Sequence, residues 1–293
     1  MSDTSKRVDG TVTSPGGRVG RVAVNTAAGV SLLYLFIPIF VIVAFSFNKP
    51  KGRFNAVWQE FTFDNWAHPF TNPFGETPDP LTEALKLSLK IGVLSAIIAT
   101  VLGAFVAIAI VRYRFRGGAV VNFMLILPLT APEIVLGASL LTLFLEPHVV
   151  LFNYEFQLGF VTILIAHVMF CVSYVALTVK ARIRGFDWSL EDAAMDLGAG
   201  PARTFFKVTL PLILPGIFAA FLLSFALSID DFIITYFVSG PSTTTFPIRI
   251  FNQSRTALPA QINVLASMIL FGSIAVMAVG SYFGARRQRR LGN

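Results

Sequence analysis

Charge and cysteine are both scarce in this chain of 293 residues. Asp, Glu, Lys and Arg make up 13% of it, against about 25% in an ordinary soluble domain. Cys171 is the only cysteine, so no intramolecular disulfide is available and cysteine usage says nothing about redox compartment. There are three histidines, and no His, Cys, Asp or Glu grouping has metal-ligand spacing. No Walker-type glycine loop occurs, and no nucleophile is set beside a base in a hydrolase pattern. These absences exclude a nucleotide hydrolase and a hydrolytic enzyme, and they predict neither a metal site nor a bound cofactor. The chain carries no ATP-hydrolysing motif of its own.

Apolar sequence is abundant instead. Hydrophobic residues make up 55% of the chain, 29 of them Phe, and mean hydropathy is +0.71. A bilayer core of roughly 30 Å is crossed by about 20 apolar residues in a helix. Six segments qualify, at about 26–47, 91–111, 119–145, 159–179, 212–229 and 263–283. They predict an all-α polytopic membrane protein with six transmembrane helices. The first is too long for a plain signal peptide and no small-residue cleavage site follows it, so it reads as a retained span. Residues 1–25 read as a polar, disordered tail, 26–285 as the membrane domain and 286–293 as a basic tail.

The net charge of +7 is a topology signal rather than a nucleic-acid footprint. With the N-terminus inside, 16 of the 23 Lys and Arg fall in cytoplasmic segments, among them Arg112, Arg114, Arg116, Lys180, Arg182, Arg184, Arg203 and Lys207. This bias places both termini in the cytoplasm by the positive-inside rule. Small residues Ser95, Ala99, Gly103 and Ala107 recur every four positions in the second span, a face on which another helix can approach closely. The outer loop 48–84 holds Trp58, Phe61, Phe63 and Trp66. It either packs over the mouth of the bundle or forms an interfacial aromatic belt.

Several polar groups sit where lipid would penalise them. Glu133 lies near the middle of the third span, flanked by Pro128 and Pro132. A carboxylate at that depth is a functional candidate, and prolines release backbone carbonyls toward a cavity. Carboxylate and carbonyls together suit an ammonium group, which only donates hydrogen bonds. Asp230 and Asp231 close the fifth span, where they oppose the helix dipole, so stability does not account for them. Adjacent helical residues point about 100° apart, so one of the two is expected to face the pathway. Phe232 and Tyr236 follow and could seat an organic cation by cation–π attraction. His167, inside the fourth span, reads as a neutral partner between helices.

The most informative stretch is EDAAMDLGAGPARTFFKVTLPLILPGI, residues 191–217, which is polar and helical yet lies between two spans. It resembles the cytoplasmic EAA loop of ABC-importer permeases: Glu-Ala-Ala, three residues, Gly, nine residues, then an aliphatic residue, any residue, Leu-Pro. Ala193, Ala194, Gly198, Val208, Leu210 and Pro211 match, and Asp192 stands where the pattern has Glu. With LTAPEIVLGASLL and LSIDDFIITYFVSGPSTTTFPIRIF, the chain is similar over about 30–285 to the permease subunits of spermidine/putrescine ABC importers. The resemblance implies a non-catalytic inner-membrane subunit. Its implied partners are a second similar permease, two cytoplasmic ABC ATPases and an external solute-binding protein. It implies ATPase coupling through the loop at about 187–207, with Glu191, Asp192, Ala193, Ala194, Gly198 and Arg203. It implies a polyamine pathway at Glu133, Asp230, Asp231, Phe232 and Tyr236. The same machine carrying iron(III), thiamine or a phosphonate stays open, as does an ion-coupled secondary transporter using Glu133 and His167.

Overall fold

The computed structural model describes residues 19–71, 74–75, 79–113, 116–146 and 156–291. The expected disordered tail up to residue 18 lies outside them, as do the last two residues of the basic tail. In chain order the helices are α1 (Val19–Phe45), α2 (Asp64–Ala67), α3 (Pro80–Arg112), α4 (Gly118–Thr130), α5 (Glu133–Leu145) and α6 (Phe160–Ile183). They continue with α7 (Ser189–Asp196), α8 (Pro201–Thr204), α9 (Leu210–Asp230), α10 (Ile233–Val238), α11 (Phe246–Gln253) and α12 (Ala260–Leu291). A π turn, Phe205–Thr209, joins α8 to α9. No strand is present among the described residues.

Five helices are long and apolar enough to cross a membrane, and α4 with α5 supply a sixth crossing if taken as one span. That pair is where the structure departs from the expected continuous helix over 119–145, for it bends by 109°. The cause is local. Pro132 cannot donate to the helix ladder and pushes the residue before it out of the α region; Ala131 is extended, with φ −73° and ψ 137°. Helix α1 also starts earlier than expected, at Val19, so residues 19–25 are helical rather than part of a disordered tail. Helix α12 carries its backbone to Leu291, through the stretch read as a basic tail.

The chain divides into two compact units. One comprises the residues up to Pro69 with Pro259–Ser273. Its segment after α1 is organised by asparagine rather than by a hydrophobic core. Buried Asn48 donates to Asn55 (2.6 Å) and to the Val57 carbonyl (2.9 Å), and accepts from the Gln59 N–H (2.7 Å). Asn65 donates to the Ser46 and Asn48 carbonyls, and the Trp66 indole N–H to the Ser46 hydroxyl. Around this scaffold Phe47 gathers Phe61, Phe63 and Trp66 with ring centroids 5.5–5.7 Å apart.

The second unit, Phe70–Leu258 with Ile274–Asn293, holds the candidate site residues. Here α3 packs on α6 and α9, and α10 packs on α5 and α6. The small-residue stripe of α3 explains the closeness: Ser95, Ala99 and Ala107 are fully buried. A Cβ on Gly103 would stand 2.7 Å from Val175, so only glycine permits that approach of α3 to α6.

Candidate functional site

Two polar clusters emerge from this packing. The first surrounds the break between α9 and α10. Helix α9 ends at Asp230 and α10 begins only at Ile233, so Tyr236 sits on a separate helix beyond the fifth span and Phe232 in the break. The carboxylate of Asp231 reaches forward and accepts from the Thr235 backbone N–H (2.8 Å) and hydroxyl (2.6 Å). The dipole argument against a stabilising role is thereby overturned for Asp231. It caps the start of α10, where a negative charge is favoured.

Behind Asp231 lies His167. Its Nε2 is 2.8 Å from the Thr235 hydroxyl and 3.3 Å from the Asp231 carboxylate. Its Nδ1 is 2.6 Å from the Ser228 hydroxyl, and Ser95 donates to Ser228 at 2.8 Å. Ser95, Ser228, His167, Thr235 and Asp231 thus form one continuous hydrogen-bonded chain. Four helices, α3, α6, α9 and α10, are tied by one buried network. The Asp231 side chain is only 7% accessible.

Asp230 differs, being exposed, as are Glu133 and Tyr236. Glu133 is the first residue of α5, so the break at Pro132 converts a mid-span carboxylate into one at a helix N-terminus, which the dipole favours. Helix α5, which Glu133 opens, packs against α10, the helix that follows Asp230. The Phe232 ring lies 5.6 Å from Tyr236 and 4.9 Å from Phe251. The structure therefore pairs Phe232 with Tyr236, packs the helix of Tyr236 on that of Glu133, leaves Asp230 exposed and draws Asp231 inward. The Ser239-Gly240-Pro241 turn closes this region. A Cβ on Gly240 would fall 2.1 Å from the Leu158 carbonyl oxygen, and the neighbouring Val238 carbonyl accepts from Thr162 at 2.7 Å.

The second cluster is the loop between α6 and α9. Asp187 precedes α7, its carboxylate held below the usual range by the Ser189 side chain and backbone N–H. Glu191 and Asp192 occupy the first turn, where acids complement the dipole. At the other end Gly198 takes φ +84°, a left-handed conformation that glycine adopts without steric cost. The Gly198 N–H bonds the Met195 carbonyl (2.9 Å) and the Ala199 N–H bonds the Ala194 carbonyl (3.1 Å). This is a complete Schellman stop. The outer face of α7 and the residues after it present Asp192 and Met195 to solvent, and Leu197 is 90% exposed.

Glu191 points the other way and is buried, 3% accessible. Both its oxygens are taken by Arg112, at 3.0 and 2.8 Å, and Thr209 also donates to it. Sequence reasoning grouped Glu191 with the exposed coupling residues and used Arg112 only as a topology charge. The pair was hidden because 79 positions separate its members.

Residues 99–289 match the family described as binding-protein-dependent transport system inner membrane component. The chain belongs to this family. As a binding-protein-dependent inner membrane component it is a multi-pass transport subunit, not an enzyme, and it works with a solute-binding protein. The putrescine transport system permease PotI of Escherichia coli K12 is 39% identical over 262 residues, covering 88% of this chain and 89% of that one. The spermidine/putrescine permease PotC of Haemophilus influenzae is 38% identical over 246 residues, covering 84% and 90%. Among solved structures, a bacterial ABC transporter importing the acidic polysaccharide alginate aligns at TM-score 0.64 with 15% identity, over 94% of this chain and 98% of that one. A bacterial alginate ABC transporter in complex with an alginate pentasaccharide-bound periplasmic protein aligns at TM-score 0.57 with 15% identity, over 94% of this chain and 98% of that one. At such identities these two structures speak for the importer-permease fold alone.

Proposed function

We propose that this subunit lines half of the pathway by which an ATP-driven importer carries polyamines, spermidine or putrescine, into the cell. One observation carries the reading: exposed carboxylates stand at the start of α5, Glu133, and at the end of α9, Asp230, on either side of the packed pair α5 and α10, in a chain 38–39% identical to putrescine and spermidine/putrescine permeases. A protonated amine only donates hydrogen bonds and is met by carboxylates. Phe232 and Tyr236 add aromatic faces that attract organic cations. Asp230 is the residue of the acidic pair that meets cargo, while Asp231 holds the wall in place. Contacts of this kind are weak and multiple, as passage requires.

The driving part of the cycle enters through 187–207. Two cytoplasmic ATPases engage the outward face of α7 around Asp192, Met195 and Leu197, with Gly198 fixing the end of the rod. Ala193, Ala194 and Arg203 belong to the same surface segment. A second, similar permease completes the pathway, and both termini lie in the cytoplasm.

Uptake of radiolabelled spermidine and putrescine tests the reading, in cells carrying this chain with its partner subunits and in cells lacking it. Uptake that needs ATP and is competed by unlabelled polyamine is expected. ATP-dependent assembly without polyamine uptake would move the cargo to another solute. Uptake that outlives loss of the ATPase and collapses with the proton gradient would overturn the importer reading itself.

A further inference from the structure

Arg112 ends α3, and its guanidinium fork meets both oxygens of Glu191 in the first turn of α7. Paired fork-to-carboxylate bonds fix orientation as well as distance. The same guanidinium lies 5.6 Å over the Trp188 ring, which is itself braced by Phe186 at 4.9 Å. On its other side Glu191 accepts from the hydroxyl of Thr209, the last residue of the π turn that leads into α9. A single buried carboxylate therefore joins the end of α3, the start of α7 and the root of α9. From Thr209, α9 runs 21 residues to Asp230, a rod of about 30 Å.

We propose that Arg112, Glu191 and Thr209 form a mechanical clamp that makes the coupling helix move as one body with the cytoplasmic ends of α3 and α9. They are positioning residues, acting on cargo only through these helices. A push on the outward face of α7 then reaches the Asp230 wall along α9, instead of being lost in a loop swinging on its own. The π turn suits this place, since such turns interrupt the regular ladder and are frequent at functional sites. The inference rests on the coupling role proposed for α7, and its failure can be told apart from the failure of that role.

The test uses the whole importer in membrane vesicles, comparing R112A, E191Q and the double variant with D192N on the outward face. Three quantities are read: ATPase subunit co-purified, ATP hydrolysed, and polyamine taken up per ATP. For R112A and E191Q the ATPase subunit stays bound while uptake per ATP falls about tenfold, a typical size for one coupling energy. The double variant is no worse than either single, because both remove the same link. R112K, which keeps the charge but not the fork, recovers part of the loss. Unchanged uptake per ATP in the singles, or a double equal to the product of the singles, would overturn the clamp. So would E191Q releasing the ATPase subunit while R112A keeps it, since Glu191 would then touch the partner directly. If R112A does not accumulate, T209V removes only one hydroxyl, and unchanged uptake per ATP in T209V also overturns the clamp. Failure of the unaltered chain to retain the ATPase subunit would instead sink the coupling role.

Discussion

Where α9 stops, two neighbouring carboxylates meet different surroundings. Asp231 accepts twice from Thr235 and faces His167, whereas Asp230 is exposed. Asp230→Asn is expected to reduce polyamine uptake about tenfold, the loss of one charge-assisted contact of roughly 1.5 kcal/mol, with normal protein in the membrane. Asp231→Asn is expected to lower the melting temperature of the detergent-solubilised protein, since a buried acceptor set is disrupted at a cost of about 1–3 kcal/mol. Equal loss of uptake with no change in melting for both variants would refute the division of labour. The identity of His167 as a partner between helices was legible from its lone position in an apolar span. The destination of its bonds was not, because Ser95, Ser228 and Thr235 come from three other helices and no local pattern connects them.

Individual elements were readable to the extent that their determinants are local. The coupling helix is delimited by acids at one end and glycine at the other, and both act within a turn. Gly198→Asp is expected to abolish ATP-driven uptake while the protein still inserts. It forces a side chain to φ +84°, at a cost of about 1–3 kcal/mol, and unsets the direction in which the loop leaves α7. Normal uptake would remove Gly198 from the coupling surface. Gly240→Ala acts differently, because the Cβ would meet the backbone oxygen of Leu158 at 2.1 Å. Backbone cannot swing aside as a side-chain tip can, so a sharp drop in membrane-inserted protein is expected on quantitative blotting. The bend between α4 and α5 was not legible. Pro128 sits inside α4 without ending it, and Pro132, four residues on, does end a helix. Which of two prolines breaks a span depends on what packs behind it, here α10 with Phe237 against Gly137.

At the scale of the whole molecule, the six apolar segments and their class followed from composition and run length, which are sums over many residues and tolerate local error. The sidedness of the basic residues makes a prediction on the same scale. A thiol introduced at Leu197, which is 90% exposed, is expected to react with a membrane-impermeant maleimide only from the cytoplasmic side. One at Lys51 is expected to react only from outside. Labelling with the opposite sidedness would invert the topology and move α7 away from any cytoplasmic ATPase. Such experiments usually begin by stripping a protein of its own thiols. Here Cys171 is fully buried in α6 with its sulfur 3.6 Å from the Ser224 carbonyl, out of reach of a maleimide in solution. The natural sequence is thus its own silent background. Spin or fluorescent probes can be placed in pairs along α9 and α7, and their separations followed through a transport cycle, with the interior packing left as it is.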